Sequence, residues 1–408
     1  MAAGKGYKWR FKARFRRGAF GWKSQPAIKR VHEAVAEIRS VARKDPLLAA
    51  EGAIIFLEKV SPALENVDSS SGAIGTAVNH AIEAIVPVIA DAPADPQMRD
   101  GWLERLYDAY QSDEIPYIET LGDHWGTLCA SKAMASLWAD RLIGMCKMAW
   151  SRDPNLRGYF AGSTTCLSAL LAAERYEEIL GLLEGAPWKM WHYRQYGVKA
   201  LAAMGKTAEA IRYAEEGRGL NDSPTAIARV CEAVLLSSGL ADEAYRRYGL
   251  EANRAGTYVA WFRAVLRKYP HKNAEEILAD LVGHTPGDEG KWFAAAKDAK
   301  LFDQAIALAN RAPCSPQTLS RAARDFTEKN PAFAVEAGLA ALRWLAAGYG
   351  YEVTGLDVMS AYDNTIRAAD NLGCRNQVIG WVRELLKRDD SPGRFVAGIL
   401  RQRLERSQ

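Results

Sequence analysis

The chain has 408 residues, 49% of them hydrophobic and 12 of them tryptophan, a composition that excludes a disordered polymer and leaves room for two or three domains or one long repeat array. Its net charge of +4 is unevenly spread. Residues 1–30 hold ten Lys or Arg and no Asp or Glu, while the remainder carries 43 basic against 49 acidic side chains.

Residues 7–16 alternate without a fault. Tyr7, Trp9, Phe11, Ala13 and Phe15 are apolar, whereas Lys8, Arg10, Lys12, Arg14 and Arg16 are cationic, and Arg17 extends the charge. Period 2 is the spacing of an extended strand whose successive side chains point to opposite faces. An extended basic arm over residues 1–26 is therefore expected. Its cations can meet phosphates while Trp9, Phe11 and Phe15 stack on bases, the combination that holds single-stranded nucleic acid. The opposing reading packs the rings on the protein and leaves the cations in water. An acidic protein or an anionic membrane would meet the same patch.

A helical region is expected over 27–158. Ser24 reads as a helix cap with Pro26 in the first turn, and Ile28, Val31, Val35 and Ile38 follow at helical spacing. Pro46 restarts the chain into a second helix through Phe56. Asp68 through Gly75, a Ser-rich turn leading into a helix, reads as an ordinary cap; it lacks the Lys and the glycine spacing of a P-loop. Further on, Glu119 and Asp123 could share a helix face and, with Asp113, Glu114 and His124 nearby, approach a metal for hydrolytic chemistry. Adjacent Asp123 and His124 would point in different directions on a helix, which weighs against that use.

From residue 159 to 388 the sequence repeats. A small or turn-forming residue is followed by Glu or Gln four positions later, a small or acidic residue at five, and Ile or Tyr at six. The copies start at Ala173, Gly205, Gly239, His271, Lys300, Lys329 (a weaker copy) and Gly373, at intervals of 32, 34, 32, 29, 29 and 44. A period near 30–34 residues is that of a helical hairpin. The turn residue ends one helix, the acid suits the positive start of the next, and the small residue admits close packing. Leu201 through Ile211 (LAAMGKTAEAI) resembles the inter-helix signature of the tetratricopeptide-like superfamily, and that resemblance covers roughly residues 160–388. It implies an α-solenoid whose first helices line a concave face, although most copies lack the family's tryptophan, tyrosine and terminal proline. The N-terminal half, including Asp68 through Gly75, resembles uncharacterised bacterial helical proteins, which implies no activity. Residues 389–408 are left as a tail or helix.

Charge is segregated within the repeats. Residues 185–208 and 252–274 contain Lys or Arg and no acid. If these first helices line a groove, Arg194, Lys199, Arg263 and Arg267 make it cationic. Trp188, Trp191, Tyr196, Tyr258 and Trp261 become partner anchors or, alternatively, core between hairpins.

Six cysteines, no two within 15 residues of each other, exclude a CxxC motif and point to a reducing, cytoplasmic setting. The N-terminus has no apolar signal core, and no transmembrane helix is expected. No GxSxG, Walker, Rossmann or HExxH pattern is present, and no metal or cofactor is expected. The residues therefore predict an almost all-α protein. Its expected function is non-catalytic binding, as a scaffold for a partner protein. The alternative is nucleic-acid binding through arm and groove, and a metal-dependent hydrolase is a third reading.

Overall fold

Apolar residues at three- and four-residue spacing dictate helices along nearly the whole chain. The computed structural model describes residues 7–151, 153, 155–187, 189–217, 219, 222–387 and 391–405, and among these the chain is all-helical, with no strand. It divides into two compact units, Met1–Ser223 and Pro224–Gln408. The division falls inside the region where the sequence repeats.

In the first unit the basic segment departs from the expected continuous extended arm. Residues 7–9 form no strand, and the chain turns over residues 10–14. The Phe11 carbonyl accepts the amides of Arg14 (2.8 Å) and Phe15 (3.2 Å). This turn leaves Ala13 exposed and brings Phe15 back to the side of Phe11, so Trp9, Phe11 and Phe15 are all buried. Their seat is the helix Pro46–Ala63. Phe56 on that helix meets Phe11 edge-on at 5.9 Å and Phe15 at 5.3 Å between centroids, geometries that aromatic quadrupoles favour. Trp9 packs against Gly52 of the same helix, where any Cβ would overlap its ring.

The helix Ser24–Ala42 begins one residue earlier than expected: Lys23 is its cap residue, and Ser24 is already helical. Asp45 caps the next helix by accepting the Leu48 amide at 3.0 Å, with Pro46 in the first position. That helix continues past Phe56 to Ala63. Gly72, left-handed at φ 70°, precedes the helix Ala73–Ala90, so the Ser-rich stretch is a cap and turn. With a mean hydropathy of 1.5, Ala73–Ala90 has the length and composition of a membrane span, which the sequence reading did not anticipate. Its apolar face, from Ile74 to Ile89, is buried in this unit.

The repeat has one recurring turn. Glu174, Gly205, Gly239, Lys300 and Gly373 all adopt positive φ, between 59° and 77°. At each, the next residue's amide reaches back to the carbonyl five positions earlier, as in Lys206 to Leu201 (2.9 Å) and Leu301 to Ala296 (2.9 Å). This 6→1 bond satisfies carbonyls that the helix end would otherwise leave unpaired. A new helix starts two residues beyond the left-handed position in every case: Tyr176, Thr207, Ala241, Phe302 and Arg375. Five residues beyond it sit Ile179, Ala210, Ala244, Ala305 and Val378, all buried. In the first copy the left-handed residue is Glu174, one position beyond the anchor Ala173. The His271 and Lys329 copies turn differently, with Asn273 and Asn330 capping the following helices by side-chain acceptance.

In the second unit, the helix after Gly239 is not uniform. Ala241–Ala244 and Leu250–Ala252 are α-helical, but Tyr245–Gly249 between them forms a π turn. Gly249 backs onto the Tyr269 ring, where a Cβ would come within 2.9 Å. The Tyr269 hydroxyl and the Asn253 amide both donate to the buried Glu232 carboxylate at 2.6 Å. The chain's last described element is the helix Ser391–Glu405.

Candidate functional site

The strongest concentration of charge lies at the start of the first unit. Residues 7–30 carry nine Lys or Arg and no acid. Three carboxylates come against them. Glu33 takes Arg14 at 2.8 Å and Arg30 at 2.5 Å, and Glu65 takes Arg17 at 3.0 Å. Both guanidinium groups hold the Glu33 carboxyl below the usual carboxylate range, the hydrogen bond from Arg30 contributing most. Glu37 is buried and accepts the backbone amides of Arg10 (3.0 Å) and Phe11 (3.3 Å). This carboxylate therefore fixes the backbone of the segment, while the Arg10 side chain stays 80% exposed. Lys8, Lys12 and Arg16 are exposed and form no ion pair among the described residues. Arg10, Arg14 and Arg30 line one open cavity of about 440 Å³.

The structure thus separates the two halves of the expected arm site. The cations face water. Trp9, Phe11 and Phe15 do not, and base stacking by these rings would require pulling the segment out of its core. The exposed rings of the segment are Trp22, at 73%, and Tyr7, at 44%.

The expected cationic groove is not presented as a set of free charges. Arg194 lies over the Tyr213 ring at 4.1 Å and donates to the Tyr213 carbonyl. Its guanidinium occupies the space where a Cβ on residue 217 would stand, and residue 217 is glycine. It therefore closes the end of the helix Thr207–Glu216 rather than facing a groove. Lys199 donates to the Gln195 side chain at 3.1 Å and covers the Tyr196 ring. Burial lowers its pKa, with the Asp123 charge opposing. In the second unit, Arg263 is bidentate on Asp298, and Arg267 is exposed without an ion pair among the described residues.

The aromatic anchors are mostly core. Trp191, Tyr196 and Trp261 are buried. Trp261 donates to the Leu250 carbonyl at 2.7 Å, and half-buried Tyr258 donates to Asp288 at 2.5 Å. Trp188 lies outside the described residues.

The acidic stretch also disperses. Asp113 accepts the Ser61 hydroxyl and the Ile118 amide, and burial raises its carboxyl above the usual range. Asp123 accepts the Tyr196 hydroxyl at 2.8 Å. Among the described residues no group of three His, Cys, Asp or Glu side chains is placed to hold a metal ion. Thr164 and His192 do pair, at 2.6 Å, a contact between residues 28 apart that carries no local motif.

The second unit has a mixed-charge cleft of about 770 Å³ beside the π turn. Its four acids are engaged: Asp280 by the Tyr245 hydroxyl (2.6 Å), Glu276 by Lys272 (2.8 Å), Glu243 by Arg247 (2.9 Å) and Asp242 by His271 (3.3 Å).

Sequence reasoning missed Glu37, Gly52 and Gly217. A helical glutamate and two glycines carry no local signal of what docks on them. The chain matches no protein-family model, no curated protein and no solved structure.

Proposed function

We propose that this chain is a non-catalytic binding protein of the tetratricopeptide-like α-solenoid kind, presenting helical-hairpin surface to a partner protein. The recurring left-handed turn at residues 174, 205, 239, 300 and 373, each with a buried residue five positions on, carries this reading. Repeated hairpins bury one face against their neighbours and leave others open, which is how helical arrays serve as binding surfaces. Six unbonded cysteines suit a reducing cytosol.

Affinity purification with the full chain as bait tests it. Arg263→Glu/Arg267→Glu alters a first helix, and Arg212→Glu/Arg246→Glu alters second helices by the same charge. The first pair is expected to weaken capture of an acidic protein partner through added repulsion, and the second to leave it unchanged. Equal capture by both variants would refute a partner surface on the first helices.

A further inference from the structure

We infer that the exposed cations of residues 8–16 dock the phosphate backbone of double-stranded nucleic acid without reading its sequence. Three observations lead there. The first is excess charge: of the five cations in residues 8–16, Arg10 meets Glu37 and Arg14 meets Glu33, so Lys8, Lys12 and Arg16 remain uncompensated.

The second is rigidity. The segment is a fixed part of the first unit, held by Glu37 on the Arg10 and Phe11 amides, by the Gly52 notch under Trp9, and by the Gly18 amide on the Pro62 carbonyl at 3.0 Å. Its cations are therefore presented without the ordering cost that a floppy basic tail incurs on binding.

The third is the chemistry left exposed. Protein partners are gripped by desolvated aromatic or aliphatic anchors at the centre of an interface, and membranes by an apolar face that inserts. Here Trp9, Phe11 and Phe15 point inward; the exposed rings, Tyr7 and Trp22, lie before and after residues 8–16 in the chain, and within 8–16 every exposed side chain but Ala13 is a cation. Charge alone positions a protein on phosphates and carries no base specificity. A duplex, with one charge per ~1.7 Å of its axis, is the densest such target. Single strands lose the stacking on Trp9, Phe11 and Phe15 that would favour them.

Fluorescence anisotropy of the full chain with a labelled 20-base-pair duplex of arbitrary sequence tests the inference. Three phosphate contacts, one each from Lys8, Lys12 and Arg16, give a slope of log K against log salt near −2.7. Affinity should then fall about 40-fold between 50 and 200 mM salt. Lys8→Gln/Lys12→Gln/Arg16→Gln is expected to remove that slope, while the charge-retaining Lys8→Arg/Lys12→Arg/Arg16→Lys keeps it. All six substitutions fall on exposed positions without ion pairs, and an unchanged far-ultraviolet circular dichroism spectrum verifies the fold. Trp22→Ala is expected to leave affinity unchanged.

The inference is overturned if the glutamine variant binds the duplex with wild-type affinity and slope. It is also overturned if polyglutamate or phosphatidylserine vesicles bind through these cations while the duplex does not. A tenfold preference for single strands that disappears in Trp22→Ala would likewise replace it with a stacking site. The partner surface on the hairpins is read on different residues, so either idea can fail alone.

Discussion

Gly52→Ala separates two physical expectations of opposite sign. In the middle of a helix, alanine is ordinarily better than glycine by about 0.5–1 kcal/mol, because glycine loses more backbone entropy on folding. At residue 52 the added methyl would occupy the same space as the Trp9 indole. Either the helix Pro46–Ala63 shifts, an overpacking strain of about 1–3 kcal/mol, or Trp9 leaves. Leaving forfeits burial of about 200 Å² at ~25 cal/mol per Å², an upper bound near 5 kcal/mol. The cheaper route sets the outcome, and after subtracting the helical gain the variant should be destabilised by about 1–2 kcal/mol. Gly101→Ala is the control, since Gly101 sits inside the helix Pro96–Gln111 with nothing near its Cβ direction; it should gain up to about 1 kcal/mol. Urea denaturation followed by circular dichroism gives both values. Amide hydrogen exchange at Arg10 and Phe11, whose N–H groups bond to Glu37, should accelerate in Gly52→Ala alone. A stabilised Gly52→Ala protein with unchanged exchange would refute the docking of Trp9 on that glycine.

Arg194→Ala should cost about 1–3 kcal/mol in the same assay, because it strips a charged donor from the Tyr213 carbonyl and empties the seat over Gly217; a change below 0.5 kcal/mol would instead mark an ordinary surface arginine. Burial pushes the Cys129 and Cys314 thiols up to about 12, so iodoacetamide at pH 8 should label half-buried Cys374 and spare those two until denaturant is added; mass spectrometry of the labelled peptides decides. Stability should also fall at alkaline pH. The Tyr245 and Tyr269 phenols are raised above the usual range, first by burial and then by their bonds to Asp280 and Glu232. Their contribution is complete below the unfolded phenol pKa of about 10 and is lost as pH rises beyond it. Tyr245→Phe/Tyr269→Phe should flatten the decline of melting temperature between pH 9 and 11, and an unaltered slope would argue against this linkage.

Glycine made part of the fold legible. Gly205, Gly239 and Gly373 announce a left-handed turn because that conformation is open to them. Glu174 and Lys300 take the same conformation without announcing it, which is why the first copy's anchor lay one residue off. Alternation in residues 8–11 separates buried rings from exposed cations, although Tyr7 before it is exposed, and the pattern holds no information about the Phe11 carbonyl. The turn that carbonyl makes is what ends the alternation at Ala13. Charge segregation identified cationic stretches, not their destinations. Arg194 is claimed by a glycine 23 residues away, Arg263 by Asp298, and Asp123 by a tyrosine 73 residues on. Such pairings are decided by the packing of whole helices, which local sequence does not encode.

The π turn at Tyr245–Gly249 sets the rotational phase of everything that follows it in its helix. Its hydrogen bonds span one residue more than those of an α turn, and each residue of a helix turns the chain by about 100°. The surplus residue therefore rotates Leu250 and Asn253 relative to Ala241–Ala244, toward the Trp261 indole and the Glu232 carboxylate that they meet. Excising one residue between 245 and 249 would let the ladder relax to α and swing both groups away from their partners. The fit of this hairpin is thus fixed by how many residues it contains as well as by which ones they are.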